Sequence, residues 1–443
     1  MPPEISLVRW PGWVDPSHVH ANLAADFPAT FWLDAGPDAT SGWSWVGVGE
    51  VEEDPADVGD VVCAGTAAAP PEGSPFRGGW IGWRGYDEAA AAAGAPAASD
   101  PLSDRSRESV PSELWMRARF FFAFDHSRRE MWWAATGDDH AHGHRWTRAA
   151  HVHQDPPSSR GVHARHTAER YAELIGCCRE AIARGDAYQL CLTTRFHVED
   201  PRLDPLAVYE RLRRVTPAHH GGLIRAQGVA LASASPEQFL EISGGRVRTR
   251  PIKGTRPRSS DPAADAALAR ELQMSTKERA ENVMIVDLMR NDLSRVSVAG
   301  SVRVEELLVV ESYPAVHQLV STVSGELNNG VTMRQIWDAA FPAGSMTGAP
   351  KLSAMTILHA LEGGARGIFA GCFGWVSGDG RADLAMVIRT IVMHPDGAYV
   401  GAGGGITWRS DPAEEVAEVA LKARGPLAAL GAELPPSWAG TVG

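Results

Sequence analysis

The sequence predicts an α+β fold built on antiparallel sheets, and three observations carry that reading. Through residue 135, short apolar, aromatic-rich runs such as 43–48 and 114–124 alternate with Gly, Pro and Asp, the pattern of strands and turns. From Asp138 to His166 the chain is polar and holds seven histidines, among them His140, His142 and His144; their Asp, Gly, Pro, Gln and Ser neighbours mark a solvated linker rather than a metal site. Beyond it, strand-like and helix-like segments come in blocks without the regular strand–helix–strand alternation of a parallel sheet. The expected organisation is an N-terminal β-rich subdomain over 1–137, a linker over 138–166 and a second region over 167–430.

The elements follow in order. Residues 87–105, rich in Ala, Ser, Asp and Pro without periodicity, read as an exposed loop. Thr167 as N-cap with Glu169 in the first turn opens an amphipathic helix that runs to about Arg184. Strands are expected at 188–196, 223–234 and 247–252, then helices at 275–296, 331–340 and 351–361. Strands resume over 367–407, and a helix with Pro412 at its first position runs from Asp411 to about Ala423.

Composition narrows the function. At 443 residues and 44% hydrophobic content, the chain can bury a large core of two or three domains. A net charge of -12 provides no general basic field, which argues against nucleic acid and anionic membrane surfaces as partners. No leader-like or membrane-spanning pattern is present. The five cysteines have no metal-ligand spacing and read as reduced thiols, so a cytoplasmic location is expected.

Lysine is rare. Only Lys253, Lys277, Lys351 and Lys422 occur among 42 basic residues, all in the second half. Arginine stays charged at any working pH, whereas an amine can deprotonate and attack, so these positions stand out as candidates for chemistry.

Glu278 and Glu281, three apart in the helix that Ser275 opens, share one face, and Glu415 and Glu418 repeat that spacing in the last helix. Ordinary roles exist for them: Ser275 with Glu278 spells a capping box, and Glu418 can pair with Lys422 one turn on. Two matched pairs also make an oxygen-rich site suited to Mg²⁺. The run Gly401–Ile406 follows a strand and reads as a loop whose N–H groups can approach an anion, although neither it nor Gly344–Lys351 has the spacing of a nucleotide loop. Arg389, within an apolar strand, needs a counter-anion if it points inward and none if it points outward.

The segments GDAYQLCLTTRF (185–196), SASPEQFL (233–240), RPIKGTRPR (250–258), STKERAENVMIVDLMRNDLSRV (275–296), YPAVHQLVSTVSGEL (313–327), FPAGSMTGAPK (341–351), IRT (388–390) and GAGGGITWRSDPAEEVAEVALKA (401–423) together resemble the chorismate-utilising enzymes. The resemblance spans roughly residues 165–425. It implies a two-subdomain sandwich of antiparallel β-sheets with helices outside, Mg²⁺ dependence and chorismate as substrate. Carried over by position, it implies Glu278, Glu281, Glu415 and Glu418 as metal-site carboxylates, with Glu281 and Glu418 closest to the ion. It implies Arg389 and the amides of Gly404 and Gly405 as holders of the substrate carboxylates, with Ser345 and His317 in the pocket.

Two positions choose among the family's chemistries. Lys253 stands where the branch that aminates ring carbon 4 has a nucleophile for ring carbon 2 and where the anthranilate-forming branch usually carries Ala; Glu237 would protonate the hydroxyl leaving carbon 4, so that ammonia adding there gives 4-amino-4-deoxychorismate. Gln189 occupies the place where the water-adding branch keeps a Lys base, which disfavours water addition. The alternative is amination toward anthranilate. No G-x-C-x-G nucleophile elbow occurs, and the resemblance implies a separate glutamine amidotransferase that supplies ammonia. Phe369 and Trp375 depart from the Tyr that relatives often carry, and Cys191 replaces a common Asn.

Overall fold

A computed structural model describes residues 5–63, 73–97, 110–135, 142–149 and 161–440. All its strand pairings are antiparallel, and they form two arms that meet on one long strand, Glu113–Asp125. In the first arm that strand pairs with Trp43–Val51, which leads through Thr30–Asp34, His220–Ala226, Val229–Ser235, Thr390–His394 and Gly397–Ile406 to Gln189–Glu199. In the second it pairs with Gly79–Arg84, which leads through Cys372–Ser377, Ala382–Met386, Gln238–Ser243 and Arg246–Thr249 to Val316–Glu326. Strands of the first 135 residues thus share sheets with those of the rest of the chain.

The apolar run in Glu113–Asp125 has a physical reason. Successive strand side chains point to opposite faces, and here both faces are covered. Phe121 and Ala123 join the core between the arms, with Trp45, Ile81, Leu240, Phe373 and Leu384. Phe120, Phe122 and Phe124 join a second core beneath the helices Pro16–Asp26, Ala168–Ala183, Pro205–Val215 and Pro412–Ala429. Among the described residues no helix is long and apolar enough to cross a membrane.

Several expectations need correction. Residues 86–92 form a helix rather than loop, and Pro16–Asp26 adds another to the N-terminal region. The run 223–234 is two strands joined at Gln227 and Gly228, both at positive φ, as a two-residue hairpin turn requires. The run 247–252 is likewise two strands, Arg246–Thr249 and Ile252–Pro257. In the linker, Trp146 is buried in the second core and Val162–Ala164 pairs with Gln189–Glu199; His140, His151 and His153 lie outside the described residues.

Candidate active site

The four paired carboxylates sit on two helices, each started by a side-chain cap. Ser275 accepts from the Glu278 amide to open Thr276–Ser294, and Asp411 accepts from the Ala413 and Glu414 amides to open Pro412–Ala429. The first helix buries Ile285, Val286, Met289 and Leu293 in the inter-arm core and turns Glu278 and Glu281 toward the strand Ile252–Pro257. Gly254 (φ +87°) lets that strand pass close: a Cβ there would stand 3.0 Å from the Glu278 carboxyl carbon.

Lys253 lies at the centre. Burial pulls its amine down, but Glu281, Cys191, Glu237 and Glu418 outweigh it and hold the ammonium above its ordinary range. Glu237 is buried, accepts a 2.9 Å hydrogen bond from Ser345 Oγ, and is pushed by burial up to about 7 against the Lys253 charge, the Ser345 bond and the Lys422 charge. Burial likewise raises Glu281 to about 7, and its Oε1 is buried with no hydrogen-bond partner.

The other three carboxylates are held by cations. Lys277 Nζ lies 2.9 Å from Glu415 Oε1, Lys422 Nζ 2.7 Å from Glu418 Oε1, and Arg256 Nη1 3.6 Å from Glu278 Oε1. The Lys422 charge, opposed by burial, brings Glu418 down to about 2. Lys422 also donates to the Gly403 carbonyl at 2.8 Å. Among the described residues no three His, Cys, Asp or Glu side chains stand close enough to share an ion. The cluster is therefore neutralised from within, by three of the chain's four lysines together with Arg256. The fourth, Lys351, pairs with Asp292 at 2.7 Å.

The glycine run is not a loop. Gly397–Ile406 is a strand, paired with Gln189–Glu199 through its whole length and with Thr390–His394 only as far as Val400, so one edge beyond Val400 is open. On the partner strand the Thr193 amide goes to Glu362 and the Cys191 carbonyl accepts from Arg366, so both residues face away from the glycines. Ladder alternation then turns the Gly403 and Gly405 amides to the open edge and the Gly404 amide toward Leu192. Of the two amides expected at the substrate, only that of Gly405 faces outward. A Cβ at Gly405 would meet Gln189 Nε2 at 2.2 Å and lie 3.6 Å from Lys253 Nζ; one at Gly404 would lie 3.3 Å from Glu415 Oε2. Gln189 is buried, with Oε1 unpartnered.

Arg389 is also not within a strand. It occupies the bend between Ala382–Met386 and Thr390–His394 at φ +52°, a strained conformation for a residue with a side chain. No described carboxylate pairs with it; burial pulls its guanidinium down and the Glu418 charge opposes. His317 stands apart from the others. Its Nδ1 lies 2.8 Å from Ser312 Oγ and its Nε2 3.0 Å from Asp265 Oδ1, which leaves neither ring nitrogen for a ligand.

The structure thus gathers Lys253, Glu237, Ser345, Glu281, Glu418, Gln189 and Gly405, and separates His317. Sequence reasoning gave Lys277 no role, although the scarcity of lysine had already marked it.

The model of the chorismate binding enzymes matches residues 19–428. An aminodeoxychorismate synthase of Streptomyces pristinaespiralis is 41% identical over 82% of this chain and 52% of its own length. The aminodeoxychorismate synthase component 1 of Salmonella typhimurium is 44% identical over 56% of this chain and 54% of its own. Anthranilate synthase component 1 of Streptomyces coelicolor is 36% identical over 94% of this chain and 86% of its own. Against the two Streptomyces aminodeoxychorismate synthases matched, the chain spans about half the length. Among solved structures, anthranilate synthase component I of Streptococcus pneumoniae superposes with a TM-score of 0.73 at 27% identity, covering 96% of this chain and 92% of its own. The menaquinone-specific isochorismate synthase of Escherichia coli shares the fold, with a TM-score of 0.74 at 15% identity over 97% of this chain and 95% of its own. On the extent of these matches, the chain belongs to the chorismate binding enzymes.

Proposed function

We propose that this chain is the chorismate-aminating component of an aminodeoxychorismate synthase, making 4-amino-4-deoxychorismate on the way to p-aminobenzoate and folate. The observation that carries the reading is Lys253 held in one buried cluster with Glu237. A carboxyl at about 7 keeps a proton near neutral pH and can give it to a leaving hydroxyl. Lys253, once the proton that its carboxylate neighbours hold on it has passed to solvent, attacks ring carbon 2; the C–N bond forms, the double bond shifts, and the carbon 4 hydroxyl leaves as water with the Glu237 proton. Ammonia then adds at carbon 4, the double bond shifts back, the Lys253 C–N bond breaks, and Glu237 recovers a proton. The net change is chorismate plus ammonia to aminodeoxychorismate plus water.

In this reading Glu281 and Glu418 hold Mg²⁺, with Glu278 and Glu415 beside them, and the unpartnered Oε1 of Glu281 suits a hard cation. Bound Mg²⁺ would supply positive charge that neutralises these carboxylates and takes the ring carboxylate of chorismate. Arg389, which no described carboxylate pairs with, and the Gly405 amide hold the substrate's carboxylates. A glutamine amidotransferase subunit delivers the ammonia. All five cysteines are free thiols, which suits a cytoplasmic enzyme.

The test is to incubate the purified chain with chorismate, Mg²⁺ and an ammonium salt and resolve the products by chromatography and mass spectrometry. The expected product is 4-amino-4-deoxychorismate, lost in Lys253→Ala. Fluorescent anthranilate in its place would overturn the reading and favour the second one, which the long match to the Streptomyces coelicolor anthranilate synthase component supports.

A further inference from the structure

The geometry points to Lys277 as a resident counter-cation of the carboxylate cluster, one that a divalent ion must displace from Glu415 in order to bind. The inference rests on the Mg²⁺ site proposed above and adds what sets its affinity.

Four observations support it. Glu415 is almost fully buried, its side chain 2% exposed, and it is ion-paired with Lys277, which reaches across from the other acidic helix. Lys277 sits in the first turn of Thr276–Ser294, the positive end of the helix dipole, where a cation is locally unfavourable. A residue that breaks a local rule needs a tertiary reason, and Glu415 is that reason. Next to this pair Glu281 is 7% exposed with Oε1 buried and unpartnered, so the cluster holds an acceptor that no donor among the described residues satisfies. Finally, Lys277 is one of only four lysines in a chain that otherwise uses arginine. An ammonium on a flexible stem is a point charge that can leave, whereas a guanidinium grips a carboxylate with two hydrogen bonds.

Lys422 has a different place. It follows Glu418 by one helical turn and is anchored to the Gly403 carbonyl, so it remains where it is. Lys277 is the cation that can swing out through its exposed side, at 37% side-chain exposure. Its departure frees Glu415 and removes a charge that repels the incoming ion.

The experiment is calorimetric titration of MgCl₂ into the full chain without chorismate, with melting curves with and without Mg²⁺. Lys277→Gln should bind Mg²⁺ at least tenfold more tightly than the parent, melt lower than the parent in chelator, and recover when Mg²⁺ is added. Lys277→Arg, which keeps the charge and folds without a buried unpaired carboxylate, should bind Mg²⁺ at least threefold more weakly. Unchanged or weaker binding by Lys277→Gln would overturn the proposal. So would unchanged binding by Lys277→Arg, or no Mg²⁺ binding by the parent. Product identity is measured separately, so anthranilate formation would sink the functional reading and leave this titration to be judged alone.

Discussion

Replacing Glu237 with Gln tests whether this carboxyl is kept protonated by its surroundings. Burial raises it from 4.5 to about 7, and Ser345 donates to its Oε1, a bond that the Gln carbonyl also accepts. Each pH unit of such a displacement corresponds to ~1.4 kcal/mol, so ionised Glu237 costs the folded state about 3 kcal/mol. Between pH 4.5 and about 7 the folded chain binds a proton that the unfolded chain has lost. Stability therefore falls as pH rises through that window, and the loss is complete above it. Glutamine cannot ionise. Urea unfolding of both proteins from pH 4 to pH 9, without ligands, should show the stability difference moving in favour of Glu237→Gln by about 3 kcal/mol. The same variant should lose roughly 10²–10⁴-fold in turnover, the range for removing a general acid. A stability difference that stays level with pH to within about 0.5 kcal/mol would refute the reasoning, since that is the scatter of ordinary substitutions.

Two further outcomes follow from the geometry. Lys351→Met leaves Asp292, 5% exposed and 2.7 Å from the lost ammonium, as a buried unpaired charge; urea midpoints should show a loss of about 3–5 kcal/mol, partly regained in Lys351→Met/Asp292→Asn. No loss would mean that the pair is already solvated. Arg389→Ala should raise KM for chorismate roughly 10- to 100-fold, the value of one or two charge-assisted hydrogen bonds, because no described carboxylate of the protein uses that guanidinium. An unchanged KM would place the substrate carboxylates elsewhere.

Much of the fold was legible where local chemistry acts alone. Thr167 and Ser275 cap the helices expected of them, and Asp411-Pro412 starts another. That same Asp-Pro pair also opens Pro16–Asp26, Pro205–Val215 and Pro262–Met274, so the sequence carries the signal for these three unexpected helices too. The glycine run misled because glycine suits loops and close packing equally: Gly405 is small to admit Gln189 Nε2, not to turn the chain. Arg389 misled because the run 384–393 is apolar on both sides of a bend that only its φ reveals.

By itself the sequence determined which chemistry was available: paired glutamates at helical spacing, a nearly lysine-free background that singled out Lys253, Lys277, Lys351 and Lys422, and motifs in one family's order. Tertiary structure decided which of those groups meet. It divided the lysines, placing three in the carboxylate cluster and tying Lys351 to Asp292, and it withdrew His317 into bonds with Ser312 and Asp265. Spacing along one helix specifies a shared face. Pairing across strands and helices far apart in the chain is set by how both cores close, and charge states such as that of Glu237 depend on the burial that results.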